Sequence, residues 1–107
     1  MDVRRVTDRL SALATPSRLE VLRILARAGE AGMPSGEIAK SLNVPQNTLS
    51  TQLSVLAGVD LVEYRREGRF IIYRINSGVL AELLQFFKEE LGAPPAQARA
   101  RRRAAST

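Results

Sequence analysis

Cysteine and histidine are both absent from this sequence of 107 residues. Their absence excludes disulfides, thiolate and imidazole metal sites, and any catalytic triad or dyad that depends on either residue. The sequence also lacks a glycine-rich phosphate loop, a nucleophile–base pair and paired carboxylates in a plausible pocket. We therefore expect a protein that is not an enzyme and that holds no cofactor or metal ion.

Long apolar runs are missing as well, since none approaches the roughly 20 residues that a membrane-spanning helix needs. The N-terminal segment, MDVRRVTDRLSALA, carries acidic side chains within an interrupted apolar pattern, which is not typical of a secretory signal peptide. The sequence therefore predicts a cytoplasmic protein with no membrane partner.

The net charge of +5 comes mostly from the C-terminal end of the chain. Residues 1–98 hold twelve basic and eleven acidic side chains, so this part of the chain is close to neutral. We expect one folded domain over residues 1–92 and a disordered basic tail over residues 93–107. The tail either follows nucleic-acid phosphates or stays solvated, and the sequence favours neither. Its arginines are Arg99, Arg101, Arg102 and Arg103.

Apolar spacing, capping residues and β-branched runs predict five helices and one hairpin. The predicted helices are 3–13, 16–28, 36–42 with Ser35 as its cap, 45–57, and a last one capped by Asn76 or Ser77 that runs through Leu91. The predicted strands are 61–66 and 69–75, joined by Glu67-Gly68 as a two-residue turn, and residues 30–34 are predicted as a loop. The order is α-α-α-α-β-β-α, a mainly helical fold with a β-hairpin.

The fourth predicted helix has an outer face that is polar but uncharged. Because successive residues turn by about 100°, Leu49, Leu53 and Leu56 fall on one narrow face that points into the core. No charged residue occurs from Pro45 to Val59. A polar face can simply be solvated, but exposed helices usually carry Glu and Lys, whereas amides and hydroxyls suit base edges and phosphates. The predicted DNA-binding residues in this region are Ser35, Gln46, Asn47, Thr48, Ser50, Thr51 and Gln52.

The predicted hairpin carries arginines around its tip. Arg65, Arg66 and Arg69 flank the predicted turn, and arginines in such a position can reach a phosphate backbone or a minor groove. Charged tips also keep hairpins from pairing edge to edge, and Glu63 and Glu67 keep that alternative open. Three arginines around one tip favour DNA binding.

Three segments between residues 12 and 75 resemble the ArsR/SmtB family of winged helix-turn-helix repressors. They are ALATPSRLEVLRIL (12–25), SGEIAKSLNVPQNTLSTQLSVL (35–56) and LVEYRREGRFIIYRI (61–75). The resemblance implies a homodimeric, sequence-specific DNA-binding repressor with the fourth helix as its reader and the hairpin as its wing. Gln52 stands where the family usually has histidine, and Asp60 stands where it usually has glycine.

The resemblance also marks where the family's metal ligands would fall, and this sequence departs there. The paired-cysteine positions are Pro34 and Gly36, and the last-helix positions lie near Ser77, Val79, Glu90 and Ala93. Only Glu90 among them can ligate a metal ion. We therefore expect either no effector, or release by an organic ligand, an anion or a protein.

The last predicted helix carries two apolar stripes. One stripe can cover the domain's own core, and the second would be an exposed apolar patch unless a partner covers it. The second stripe and the apolar face of the first helix predict a two-fold homodimer on an inverted-repeat operator. The alternative is a monomer in which all these residues close one core. The predicted interface residues are Val3, Val6, Leu10, Leu80, Leu84, Phe87 and Leu91. An alternative function is a winged-helix module for protein contacts with no DNA partner.

Overall fold

The computed structural model describes residues 1–92, which form five helices and a small antiparallel sheet. The helices are α1 (Val3–Leu13), α2 (Pro16–Ala28), α3 (Ser35–Leu42), α4 (Gln46–Gly58) and α5 (Ser77–Phe86), the last continued by a π-helical turn (Phe87–Leu91). The strands are β1 (Met33–Pro34), β2 (Val62–Glu67) and β3 (Phe70–Ile75), in the order β1-β3-β2. The predicted mainly helical fold with a hairpin is confirmed. The predicted tail lies outside the described residues.

Side-chain caps begin three of the helices. Asp2, Thr15 and Asn76 each accept a hydrogen bond from a backbone N–H in the first turn, at distances of 2.9, 3.3 and 3.3 Å. Such caps satisfy N–H groups that have no partner within the helix. The prediction that Ser35 caps α3 was wrong, because Pro34 occupies the cap position and Ser35 is the first helical residue.

Two further local predictions were wrong. The hairpin turn is Gly68-Arg69 rather than Glu67-Gly68, because Glu67 pairs with Phe70 and the ladder runs one residue further than expected. Gly68 has a φ of +59°, as the first central residue of a type II′ turn requires. The segment predicted as a loop contains β1, which pairs with β3 through Met33–Tyr73 and Pro34–Ile72.

One core lies between the helices and the inner face of the sheet. Seven side chains are essentially inaccessible to solvent: Val21, Leu25, Ile38, Leu49, Leu53, Leu56 and Leu61. Burial of a leucine-sized side chain contributes about 1.5–3 kcal/mol relative to exposure. Leu83 of α5 joins this core, with Val79, Phe86 and Phe87 packed at its edge. One stripe of the last helix therefore covers the domain's own core.

Gly32, just before β1, lies against the backbone of β3. Its φ is +74°, and a Cβ added there would lie 2.5 Å from the Tyr73 carbonyl oxygen and 2.9 Å from Ile72 Cγ2. We expect Gly32→Ala to lower the free energy of unfolding by about 2–4 kcal/mol, since it combines backbone strain with a collision that only backbone movement can relieve. Gly29→Ala is the matched control, because Gly29 has a φ of +68° but open space around it. Urea unfolding measures both, and equal losses for the two variants would contradict the collision.

Candidate nucleic-acid interface

A tight turn between α3 and α4 fixes the angle between the two helices. Asn43 adopts a left-handed conformation with a φ of +54°, and its N–H reaches Lys40 O at 3.1 Å. The Val44 N–H donates to Ala39 O at 3.0 Å, which completes a Schellman motif at the end of α3. Asparagine tolerates this conformation better than most residues do. The chain therefore turns within three residues and begins α4 at Gln46.

The helix α4 presents a polar outer face over three buried leucines. Leu49, Leu53 and Leu56 are each at most 1% exposed, as their spacing predicted. A second Schellman motif ends the helix: Asp60 has a φ of +62°, and the Leu61 N–H donates to Leu56 O at 3.0 Å. Six polar side chains are exposed along the helix: Gln46, Asn47, Thr48, Ser50, Thr51 and Ser54.

Several of these polar groups are already oriented by local hydrogen bonds. Gln46 Nε2 donates to Ser35 Oγ at 3.1 Å, so these two predicted contact residues lie side by side across the α3–α4 turn. Thr51 Oγ1 donates to Asn47 O at 3.2 Å, which leaves its lone pairs outward as acceptors. Ser50 makes no side-chain hydrogen bond to any of residues 1–92 and can donate or accept outward.

Gln52 differs from the other predicted contact residues because its side chain faces α2. It is half-buried, and its Oε1 accepts a hydrogen bond from Arg18 Nη1 at 3.0 Å. Sequence reasoning missed this contact, because 34 positions separate the two residues and no local pattern pairs them.

The arginines of the hairpin fall into two groups. Arg65 Nη2 donates to Ala31 O at 2.9 Å, and Arg65 Nε pairs with Glu67 at 3.1 Å. Arg66 points to the opposite face of β2, since successive strand residues alternate, and Arg69 lies in the turn itself. Neither Arg66 nor Arg69 forms an ion pair or side-chain hydrogen bond within residues 1–92. These two are therefore the hairpin charges that no residue in this part of the chain neutralises.

Two tyrosines pack against each other on the face of the hairpin that also carries Arg66. Tyr64 and Tyr73 are directly paired across β2 and β3, with ring centroids 5.4 Å apart. Burial raises the pKa of the Tyr73 phenol, and the neighbouring Tyr64 phenol raises it further. At neutral pH the Tyr73 phenol therefore stays uncharged.

The predicted interface residues of α1 and α5 divide by exposure. Val3, Leu84 and Leu91 are 70%, 61% and 65% exposed, and Leu10 is also exposed. Leu80 and Phe87 are half-buried. Val6, in contrast, is only 4% exposed and belongs to the core of the single chain. The helices α1 and α5, with the turn that continues α5, thus leave an apolar surface that residues 1–92 do not cover themselves.

Within residues 1–92, no three acidic side chains lie close enough together to form a metal site. In the same part of the chain, no helix is both long and apolar enough to cross a membrane.

A helix-turn-helix followed by a β-hairpin and a closing helix defines a winged helix-turn-helix protein. A family model described as a helix-turn-helix domain matches residues 13–65. The regulator NmtR of Mycobacterium tuberculosis, named an HTH-type transcriptional regulator, is 40% identical over 75% of this chain. The match covers 64% of NmtR, so the chain spans less than two thirds of that relative.

Solved structures give the same fold. An ArsR-like transcriptional regulator from Rhodococcus aligns with a TM-score of 0.71 at 25% identity, over 96% of this chain and 89% of that one. A possible transcriptional regulatory protein of Mycobacterium bovis, crystallised as fragment 1–100, is 31% identical over 80% of this chain and 89% of that one, with a TM-score of 0.67. The solution structure of that fragment is described as a homodimeric winged helix-turn-helix DNA-binding domain from a possible ArsR-family regulator. It aligns with a TM-score of 0.64 at 27% identity, over 86% of this chain and 90% of that one.

The chain belongs to the ArsR/SmtB family of winged helix-turn-helix transcriptional regulators, which confirms the resemblance inferred from its motifs.

Proposed function

We propose that this protein is a homodimeric transcriptional repressor that binds an inverted-repeat operator and acts in the cytoplasm without catalysing a reaction. The observation that carries the proposal is the exposed, uncharged polar face of α4, together with the two hairpin arginines that have no partner among residues 1–92. A face of amides and hydroxyls can enter a major groove and bond to base edges without a charge that would bind every phosphate equally. The arginines then supply affinity that does not depend on sequence.

A dimer is part of the proposal because the chain leaves apolar residues of α1 and α5 exposed. The homologous fragment from Mycobacterium bovis is described as homodimeric, which supports the same arrangement here. A two-fold dimer would present its two α4 helices to half-sites about 10 base pairs apart from centre to centre. With no cysteine or histidine in the chain, we propose that any effector is not a thiophilic metal ion.

Selection of bound sites from genomic fragments tests this function most directly. We expect enrichment of one inverted repeat, located near the promoters of the regulated genes. The main alternative, a winged-helix module that contacts only proteins, predicts no enrichment and no salt-dependent shift of any duplex.

The reader face yields a separate prediction. Ser50→Ala should reduce affinity for the selected operator by roughly 5- to 100-fold, the effect of removing a base contact worth about 1–3 kcal/mol. Affinity for random DNA should stay nearly unchanged, so the ratio of the two constants is the measured quantity. Thr51→Ala is expected to behave similarly.

Ser54→Ala is the matched control, since Ser54 is exposed on α4 one turn further from the helix N-terminus, the end that usually meets the bases. An operator affinity unaffected by both Ser50→Ala and Thr51→Ala would show that the reader face has been misplaced.

A further inference from the structure

Arg9 of α1 is buried at the end of α4. Its side chain is 7% exposed, and its Nε donates to Val59 O at 2.9 Å, at the C-cap of the reader helix. Its Nη1 is buried with no partner among residues 1–92. A buried and incompletely paired guanidinium is less favourable for folding than a well-packed apolar side chain of similar size. What Arg9 provides instead is a directional bond between two helices.

Arg18 of α2 makes a second connection between the same two helices. Its Nε donates to Ala12 O in the last turn of α1, and its Nη1 donates to Gln52 Oε1 in the middle of α4 at 3.0 Å. The backbone of Arg18 is itself held by the cap at Thr15. Because the guanidinium is planar and presents its donors in a fixed fork, it sets the relative position of the two acceptors.

The two connections reach the middle and the C-terminal end of the reader helix. Gln52 and Val59 are seven residues apart, which corresponds to about two helical turns and roughly 10 Å along the axis. Two attachments at that separation restrict the tilt of α4 as well as its position. On α1, the first connection starts from the Arg9 side chain and the second ends at the Ala12 carbonyl. These two residues are about one turn apart.

The helix α1 also carries Val3 and Leu10, which belong to the surface proposed to meet the second copy. In addition to the core packing of the α4 leucines, the hydrogen bonds of Arg9 and Arg18 therefore connect each reader helix to the helix proposed to lie at the dimer contact. We propose that these two arginines are positioning residues that set the half-site separation recognised by the dimer, although neither contacts DNA. This inference rests on the proposed function, because it presupposes a dimer on an inverted repeat.

A pair of substitutions at Gln52 tests the inference with little risk to folding. Gln52→Leu removes the acceptor and breaks the connection to Arg18. Gln52→Glu keeps an acceptor at the same place and strengthens its bond to the arginine, since charge-assisted hydrogen bonds are stronger than neutral ones. A glutamate that faced DNA would instead be repelled by the phosphates, so the two roles of Gln52 predict opposite orders of affinity.

The measurement uses the full chain and labelled duplexes that carry the selected operator with its central spacer unchanged, one base pair shorter, or one base pair longer. The unchanged protein should bind the altered spacers roughly 10- to 100-fold more weakly, because its readers are held rigidly. Gln52→Leu and Arg9→Gln should bind the unchanged operator several-fold more weakly and reduce the spacer penalty at least about threefold, since looser readers adapt to more separations. Gln52→Glu should keep the penalty of the unchanged protein.

The outcomes separate the two claims. If the unchanged protein shows no operator preference, the proposed function fails and the inference falls with it. If it prefers its operator and Gln52→Leu keeps the full spacer penalty, the positioning role is contradicted while the function stands. If Gln52→Glu binds more weakly than Gln52→Leu at every spacing, Gln52 is itself a DNA contact and the inference is overturned.

Discussion

Replacing Leu84 by glutamate is expected to separate the dimer and to reduce operator affinity by roughly 100-fold or more, because each monomer then binds its half-site without a linked partner. Leu84 is 61% exposed on α5, so the change leaves the core of the chain intact. In a two-fold interface the change places two new carboxylates in the contact, and burying them unpaired is strongly unfavourable. Sedimentation equilibrium measures the dissociation constant, and anisotropy with an operator duplex measures the affinity.

Two variants control for this substitution. Leu84→Met keeps an apolar surface of similar size and should keep the dimer. Gln85→Glu adds the same charge at the next position, about 100° around the helix, and should have little effect on assembly. A Leu84→Glu protein that remained dimeric at micromolar concentration would show that this stripe of α5 is not the interface.

The double replacement Arg66→Ala and Arg69→Ala is expected to weaken binding to operator and random DNA alike. Its signature is the dependence of affinity on salt, because an arginine that no longer neutralises a phosphate lowers the slope of log affinity against log salt by about 0.9. A dimer has two wings with two such arginines each, so the slope should fall by about 2 to 4 if most of them bind phosphates.

Arg65 supplies the matched control for the wing. It has the same charge and lies beside Arg66, but its guanidinium is held by Ala31 O and Glu67. Arg65→Ala should leave the salt slope nearly unchanged while loosening the contact between β2 and the segment that precedes β1. Equal slopes for Arg65→Ala and Arg66→Ala would contradict the division of the wing arginines into two groups.

The fold could be predicted from sequence where the signal was local. Thr15-Pro16 marked the start of α2, and the 3–4 spacing of Leu49, Leu53 and Leu56 placed the buried face of α4 correctly. The strand β1 could not be predicted, since its two residues exist as a strand only through their pairing with β3.

In the predicted site, too, features that depend on neighbouring residues could be predicted, whereas contacts between distant segments could not. The uncharged face of α4 is visible in the sequence because it depends on one helical period. The Arg65 guanidinium is held by Ala31 O, whereas Arg66 has no partner among residues 1–92. This difference depends on a contact between distant segments and on the alternation of side chains along β2, and the predicted turn was also one residue too early. Sequence thus identified the charged hairpin but could not rank its arginines.

The two-residue strand β1 leads directly into α3, with Pro34 serving both as the last residue of the strand and as the helix cap. The edge strand β1, which pairs with the middle strand β3, therefore passes into the first helix of the helix-turn-helix without an intervening loop, and Gly32 lies against Tyr73 just before this junction. At this junction no loop separates the sheet from the helix-turn-helix. We therefore expect a signal that releases the protein from DNA to turn each winged domain as a unit about the dimer contacts, rather than to withdraw the wing alone.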